Sequence, residues 1–443
     1  MEQPRSRRAA PWPLKRLIAL WLVGAFVAFV ICTAVIYFLY RRDGTAGSDA
    51  GLPGAIRAAM LIVGGAGGVV ALVVAYRNQE VREAESERQS TFELTQRYAA
   101  ATAQMSHESP AARLAGVYAL AALADKWVDQ RQQCIDVLCR YLRLPYDPDV
   151  ADQGQREVRL AIIKVIASHL GADGGGWSGC DLDFEGVVFD GGDFSGARFS
   201  GNSRVIFDRA RFKVSEGHVW FDSAAFTGRE VSFDSAVFEE GSVRFEGALF
   251  NSLVRFDNAQ FDGGTVNFRN ANFQGGTVSF NGAKLVGRLT FEDATFEADC
   301  ISFSNLECPT GRINFNGAKF RKGLVSLKDS YFQRAESYAN GICVDGGRLD
   351  FDQMDTQQCK FFFDNAEFIK GTISFKGATL HSTAVSMAAG RFVAGLISYE
   401  GVTFDDSFVD ISSPQEVSQS FSFILPSGDA ALPIPTRMPA GES

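Results

Sequence analysis

Residues Val254–Phe280 read VRFDNAQFDGGTVNFRNANFQGGTVSF. Phenylalanine stands at 256, 261, 268, 273 and 280, and two places before each stands a smaller apolar residue: Val254, Ala259, Val266, Ala271 and Val278. Alternation by two puts both side chains on one face of a short extended segment, with the polar residues between them facing water. Gly263–Gly264 and Gly275–Gly276 fall between the segments, where the chain must turn. One such unit is too small to bury its own apolar face, so the stretch folds only if copies stack into a solenoid.

Read outward, the pattern fills the chain from about Cys180 to Ile411. It begins as tandem fives, DLDFE, GVVFD, GGDFS and GARFS, with Phe184, Phe189, Phe194 and Phe199 in step. The longer unit comes next, with leading aromatics Phe207, Phe221, Phe233, Phe245, Phe256, Phe268, Phe280, Phe291, Phe303 and Phe315. The period is mostly twelve and sometimes eleven. It resumes at Phe351, Phe363 and Phe375, with Leu327, Met387 and Tyr399 at further copies and a degenerate copy around YANGICVDGG. These phenylalanines are expected to form a structural core ladder. The chain has 38 Phe against 10 Tyr and 5 Trp, as a dry interior built from one residue type requires.

With its central Phe and a small residue, often Ala, two places earlier, this region resembles a pentapeptide-repeat protein. The resemblance implies a right-handed, four-sided β-helix with the central residue and its small partner pointing inward. Two features depart from the family pattern. Phe replaces Leu almost throughout, and the spacing is five plus six or seven, which predicts irregular corners. The segment RLAGVYALAALA (Arg113–Ala124) also resembles a helix preceding the repeats in membrane-anchored relatives.

Ahead of the repeats, Leu17–Tyr40 is an unbroken apolar run. It is long enough to cross a bilayer, which takes about 20 residues. A second run, Ala58–Tyr76, is Gly-rich and uncharged. Gly64 and Gly68 give it a small-residue face for close helix approach, either within a hairpin or in a homodimer. Arg5, Arg7, Arg8, Lys15 and Arg16 precede the first run, and Arg77, Arg82 and Arg88 come after the second. By the positive-inside rule both ends lie in the cytoplasm.

The expected fold class is therefore mixed. A basic N-terminus (1–16) leads into a two-helix transmembrane hairpin (17–76) and a charged helical stalk (77–108). A small helical module (109–172) comes next, opened by Ser109–Pro110 and able to cap the repeat domain. The β-solenoid occupies 178–411, and a Pro/Ser-rich tail, read as disordered, spans 412–443. Within that tail FSFIL (Phe421–Leu425) is apolar and suited to covering the open end.

Composition narrows the function. A formal net charge of -9 disfavours nucleic-acid binding, which needs a basic stripe. The eight Cys form no Cys-x-x-Cys and read as reduced thiols. His107, His169, His218 and His381 are far apart, no Walker loop occurs, and no catalytic, metal or cofactor-binding set is expected. The sequence thus predicts a non-enzymatic, membrane-anchored scaffold without cofactors, docking an unidentified protein partner in the cytoplasm. The alternative is a DNA-mimic modulator of a type II topoisomerase, an activity the family resemblance suggests.

Overall fold

The computed structural model describes residues 14–42, 51–171 and 176–426. The chain divides into two compact units, Met1–Glu93 and Leu94–Ser443.

In the first unit, helix α1 spans Leu14–Arg42, and helix α2, Gly51–Met105, runs on into the second unit. The second apolar run and the charged stalk are thus one uninterrupted helix. Its sequence from Arg77 to Arg97 holds good helix formers and neither Pro nor Gly. Among the described residues no helix is long and apolar enough to cross a membrane. The fold therefore supplies two helices where the sequence predicts a transmembrane hairpin, without supplying their membrane placement. Gly64, the 43–50 connection and residues 427–443 of the tail lie outside the described side chains or residues.

In the second unit, α3 (Pro110–Lys126), α4 (Arg131–Leu142) and α5 (Gln153–Leu170) form the small helical module. Ser109 does occupy the N-cap of α3, but its side chain makes no capping bond. Its backbone N–H instead donates to His107 Nδ1 at 3.0 Å. On α5, Asp152 accepts from the Gln155 N–H at 2.7 Å. Val117, Leu120, Ile135, Leu138, Ile162 and Ile166 meet in the interior of the module.

A β-solenoid of about 10 turns comes next. A representative coil has four short strands, Leu249–Asn251, Leu253–Arg255, Gln260–Phe261 and Thr265–Asn267, called here faces 1 to 4. Faces 1 and 2 of successive coils build one parallel sheet, and faces 3 and 4 a second. Phe250 pairs with Phe273 and Phe261 with Leu285, offsets of 23 and 24. The twelve-residue period of the sequence is thus half a coil. All seventeen ladder phenylalanines are buried, none more than 6% exposed. Most line faces 2 and 4; Phe199 and Phe189 begin two further columns on faces 1 and 3, continued by Phe226 and Phe212. Along each column the rings stack, with centroids 4.7 Å apart for Phe256–Phe280 and 4.8 Å for Phe245–Phe268.

Two kinds of corner explain the mixed spacing. Phe256 and Phe261 flank a five-residue corner: Ala259 N–H donates to Phe256 O at 3.1 Å, and Asn258 takes φ 57°. This is the geometry of a type II turn, which needs a left-handed residue at its third position. The corners from face 1 to face 2 and from face 3 to face 4 are longer; many carry glycine, while the later corners from face 3 to face 4 place a left-handed non-glycine residue there, as at Arg334, Gln358, Ser382 and Asp406. A Cβ on Gly287 would sit 2.5 Å from Gly264 O, and one on Gly371 2.6 Å from Gly347 O. Backbone stacks on backbone there, leaving no room for a side chain. Elsewhere the strands run through these corners with register shifts, as in Arg211–Trp220 and Cys343–Asp350.

The ladder continues beyond Ile411, where the sequence places the tail. Glu416–Val417 and Phe421–Ile424 pair with the coil below, and Phe423 takes the rung above Ile397. FSFIL is therefore a last strand of the stack rather than a lid across it.

Candidate interaction surface

The outward side chains form rows, because each strand repeats directly above the last. On faces 2 and 4 these rows are tied together by hydrogen bonds between coils. The Ser279 hydroxyl donates to Asp257, which also accepts from the Asn281 N–H at 3.0 Å. Ser374 and the Lys376 N–H use Asp352 in the same way, and Ser386 and the Ala388 N–H use Asp364. Each acid thus satisfies a turn N–H and a hydroxyl of the next coil, polar groups that would otherwise go unpaired close to the core. The sequence signal for this device is a Ser or Asn before the ladder Phe with Asp or Asn after it.

Charges are compensated in the same stepwise manner. Arg255 meets Glu230 one coil below. Arg321 reaches Glu297 at 2.8 Å, Arg312 reaches Glu336 at 3.2 Å and Arg391 reaches Glu416 at 2.8 Å. Such exposed pairs contribute little stability, but they compensate carboxylates coil by coil as far as Arg391. Face 4 also carries outward aromatics. Tyr338 stacks on Phe362 with centroids 5.3 Å apart, and Trp220 lies under the Arg244 guanidinium, 5.8 Å from the ring centroid.

The helical module closes the first coil. Arg159, only 3% exposed, donates to Leu142 O at 2.8 Å and to Val188 O at 2.9 Å, so one guanidinium bridges α4 to the first coil. Its carbon lies 4.1 Å above the Tyr146 ring. Burial lowers the pKa of Arg159 and raises that of the Tyr146 hydroxyl, which donates to Asp190 at 2.6 Å. Arg156 reaches Asp190 as well, at 2.9 Å. On the other side Trp177 donates to Asp125 at 2.9 Å and stacks on His169 at 4.2 Å.

The histidines stay apart, each in a local structural role. His381 faces Asp405 at 2.9 Å, His218 sits beside Trp220, and His107 and His169 belong to helix ends. Among the described residues no group of three or more His, Cys, Asp or Glu is arranged to hold a metal ion. The ladder phenylalanines are core and reach no solvent-facing site.

These features define a parallel β-solenoid with a filled interior and a ladder-patterned surface. A family profile described as pentapeptide repeats (9 copies) matches residues 256–305. With the stacked coils, this match supports the likeness of the repeat region to pentapeptide-repeat proteins. No curated protein matches it, and neither does any solved structure.

Proposed function

We propose that the protein is a membrane-anchored, non-enzymatic scaffold whose solenoid presents docking rows to a protein partner in the cytoplasm. The observation that carries the scaffold reading is the division of labour within each coil. Phe rings occupy the interior, stacked at 4.6 to 5.1 Å in columns such as Phe207–Phe233 and Phe368–Phe392. Chemical variety is confined to outward rows on flat sheets. Such a surface suits recognition by a partner more than enclosure of a small substrate.

The membrane part of the reading rests on the sequence of Leu17–Tyr40 and on exposure along α1, where Val23, Phe26 and Phe38 are more than 60% exposed. A helix that bares large apolar side chains needs an apolar surrounding. The topoisomerase alternative is weaker, because a DNA mimic needs uncompensated negative charge and the carboxylates here pair with arginines one coil away.

The test is affinity capture of the full chain from gently solubilised membranes, beside a full-length variant with outward residues Tyr338, Phe362 and Phe408 changed to Ala and another with Arg312, Arg321 and Arg391 changed to Glu. Loss of specific proteins with either variant supports docking on the faces. Identical capture by all three removes the scaffold reading. Extraction of the chain from membranes by alkaline carbonate would remove the anchor reading.

A further inference from the structure

The two ends of the solenoid differ. The first coil is covered by α4 and α5 through Arg143, Arg156 and Arg159, with Ile163 packed against Gly192. The last coil has strands Thr403–Asp405, Phe408–Asp410, Glu416–Val417 and Phe421–Ile424. Each pairs with the coil below and, among the described residues, with no strand beyond. An edge of this kind offers a row of free N–H and C=O groups to another strand.

Two observations indicate what fits that edge. Of the eight large apolar side chains exposed on residues 176–426, four belong to this end: Phe408, Val417, Ile424 and Leu425. Concentrated exposure of apolar area marks an interaction site. The second is charge. No Lys or Arg occurs between 392 and 426, while Glu400, Asp405, Asp406, Asp410 and Glu416 ring the end. Glu400 meets Lys376 at 3.1 Å, Asp405 faces His381 at 2.9 Å and Glu416 meets Arg391 at 2.8 Å, each from the coil below, whereas Asp406 and Asp410 have no basic partner among the described residues.

A second copy of the chain fits poorly. End-to-end pairing would set these carboxylates against one another, and head-to-tail stacking is blocked by the helices on the first coil. We propose that residues 403–424 form a docking edge for a basic, strand-forming segment of a partner protein, with Lys or Arg alternating with apolar residues. The segment would add as one more rung, its backbone taking the free edge and its cations the carboxylate rim. This deepens the scaffold reading and rests on it. Edge charges also deter self-pairing, but that role alone predicts no preference between added peptides.

The experiment uses the full chain in detergent and two synthetic decapeptides, one alternating Val with Lys and Arg, the other alternating Val with Glu. Binding is read by fluorescence anisotropy, and its location by hydrogen exchange. The basic peptide should bind saturably, roughly tenfold or more tighter than the acidic one, more weakly at high salt, and should slow exchange within 403–424. The triple variant Asp405→Asn, Asp406→Asn, Asp410→Asn should lose that preference while keeping the parent melting temperature. Equal binding by the triple variant, protection elsewhere, no saturable binding, or protection of 403–424 that rises with the chain's own concentration would each overturn the proposal. The triple variant is also taken through the membrane capture above. If it keeps its partners yet peptide binding has failed, the edge falls and the scaffold stands; if the parent captures nothing, the scaffold itself falls.

Discussion

Phe361 lies edge-on to Phe332, ring centroids 5.7 Å apart, although the two residues belong to different faces of successive coils. The register partner of Phe332 is Thr356, where a Phe would continue the column. Thr356 turns its hydroxyl to Thr383 at 2.8 Å, and the Phe361 ring stands over Phe332 in place of the missing one. Its own register partners are the smaller Ser337 and Val385. A large side chain on one face thus packs against the column of the next, beside the smaller Thr356.

That packing makes Thr356 and Phe361 a coupled pair. Phe361→Val should open a cavity costing about 1–3 kcal/mol, and Thr356→Phe alone should overpack the coil by a similar amount. The double variant restores the ladder pattern and should be more stable than either single one. Urea unfolding of all four proteins measures the coupling; simple additivity would show that the two sites do not share space.

Glycine at the long corners is expected to matter through close approach, beyond its dihedral angle. Gly186 takes φ 67° with nothing within 4 Å of an added Cβ, so Gly186→Ala should cost only the left-handed strain of about 1–2 kcal/mol. Gly287 has no left-handed φ, yet its Cβ would press on the Gly264 backbone at 2.5 Å. Gly287→Ala should therefore destabilise at least as much as Gly186→Ala. The ranking of their melting temperatures decides between the two causes.

Much of this fold is legible in the sequence because one residue type does one job at a fixed spacing. The inward Phe, its small partner and the turn residue after it are set by local sterics, and a period shows them directly. The degenerate copy keeps register for the same reason: Ala339, buried at 4%, stands in the column between Phe315 and Phe363. The features that escape depend on neighbours 23 or 24 residues away. Nothing near Thr356 foretells that Phe361 takes its space, and the Ser374–Asp352 tie needs the coil offset to be known. The final strand at Phe421–Ile424 reads as a lid in the sequence because prolines and serines on either side mask a single remaining rung. Apart from these Ser–Asp ties, the outward rows vary from coil to coil and show no such regularity.

Arg159 should hold the helical module to the solenoid. Its two acceptors, Leu142 O and Val188 O, come from opposite sides of the junction. Arg159→Met keeps much of the volume but leaves both carbonyls unpaired, at an expected cost of about 2–4 kcal/mol. Lys cannot supply the forked geometry and should rescue poorly. The check is hydrogen exchange: amides of α5 and of residues 182–193 should exchange faster together, whereas a change confined to α5 would mean that the first coil is held by other contacts.

The buried thiols predict the alkaline limit of stability. Burial pushes Cys134 up to about 11 and Cys139 and Cys308 up to about 12, from an ordinary value of 9.0. The folded chain keeps these protons while the unfolded chain releases them above pH 9. Their contribution is therefore level below pH 9 and is lost as pH climbs from 9 towards 12, by about 1.4 kcal/mol per pH unit for each thiol still protonated in the fold. Urea midpoints across that range should fall more gently in the Cys139→Ala, Cys308→Ala variant than in the parent. At pH 7.5 the four buried thiols, Cys134, Cys139, Cys308 and Cys359, should resist a thiol reagent that labels the half-buried Cys180, Cys300 and Cys343. Equal slopes in parent and variant, or rapid labelling of Cys308 in the native chain, would mean that the coil around Cys308 opens to solvent far more readily than its packing implies.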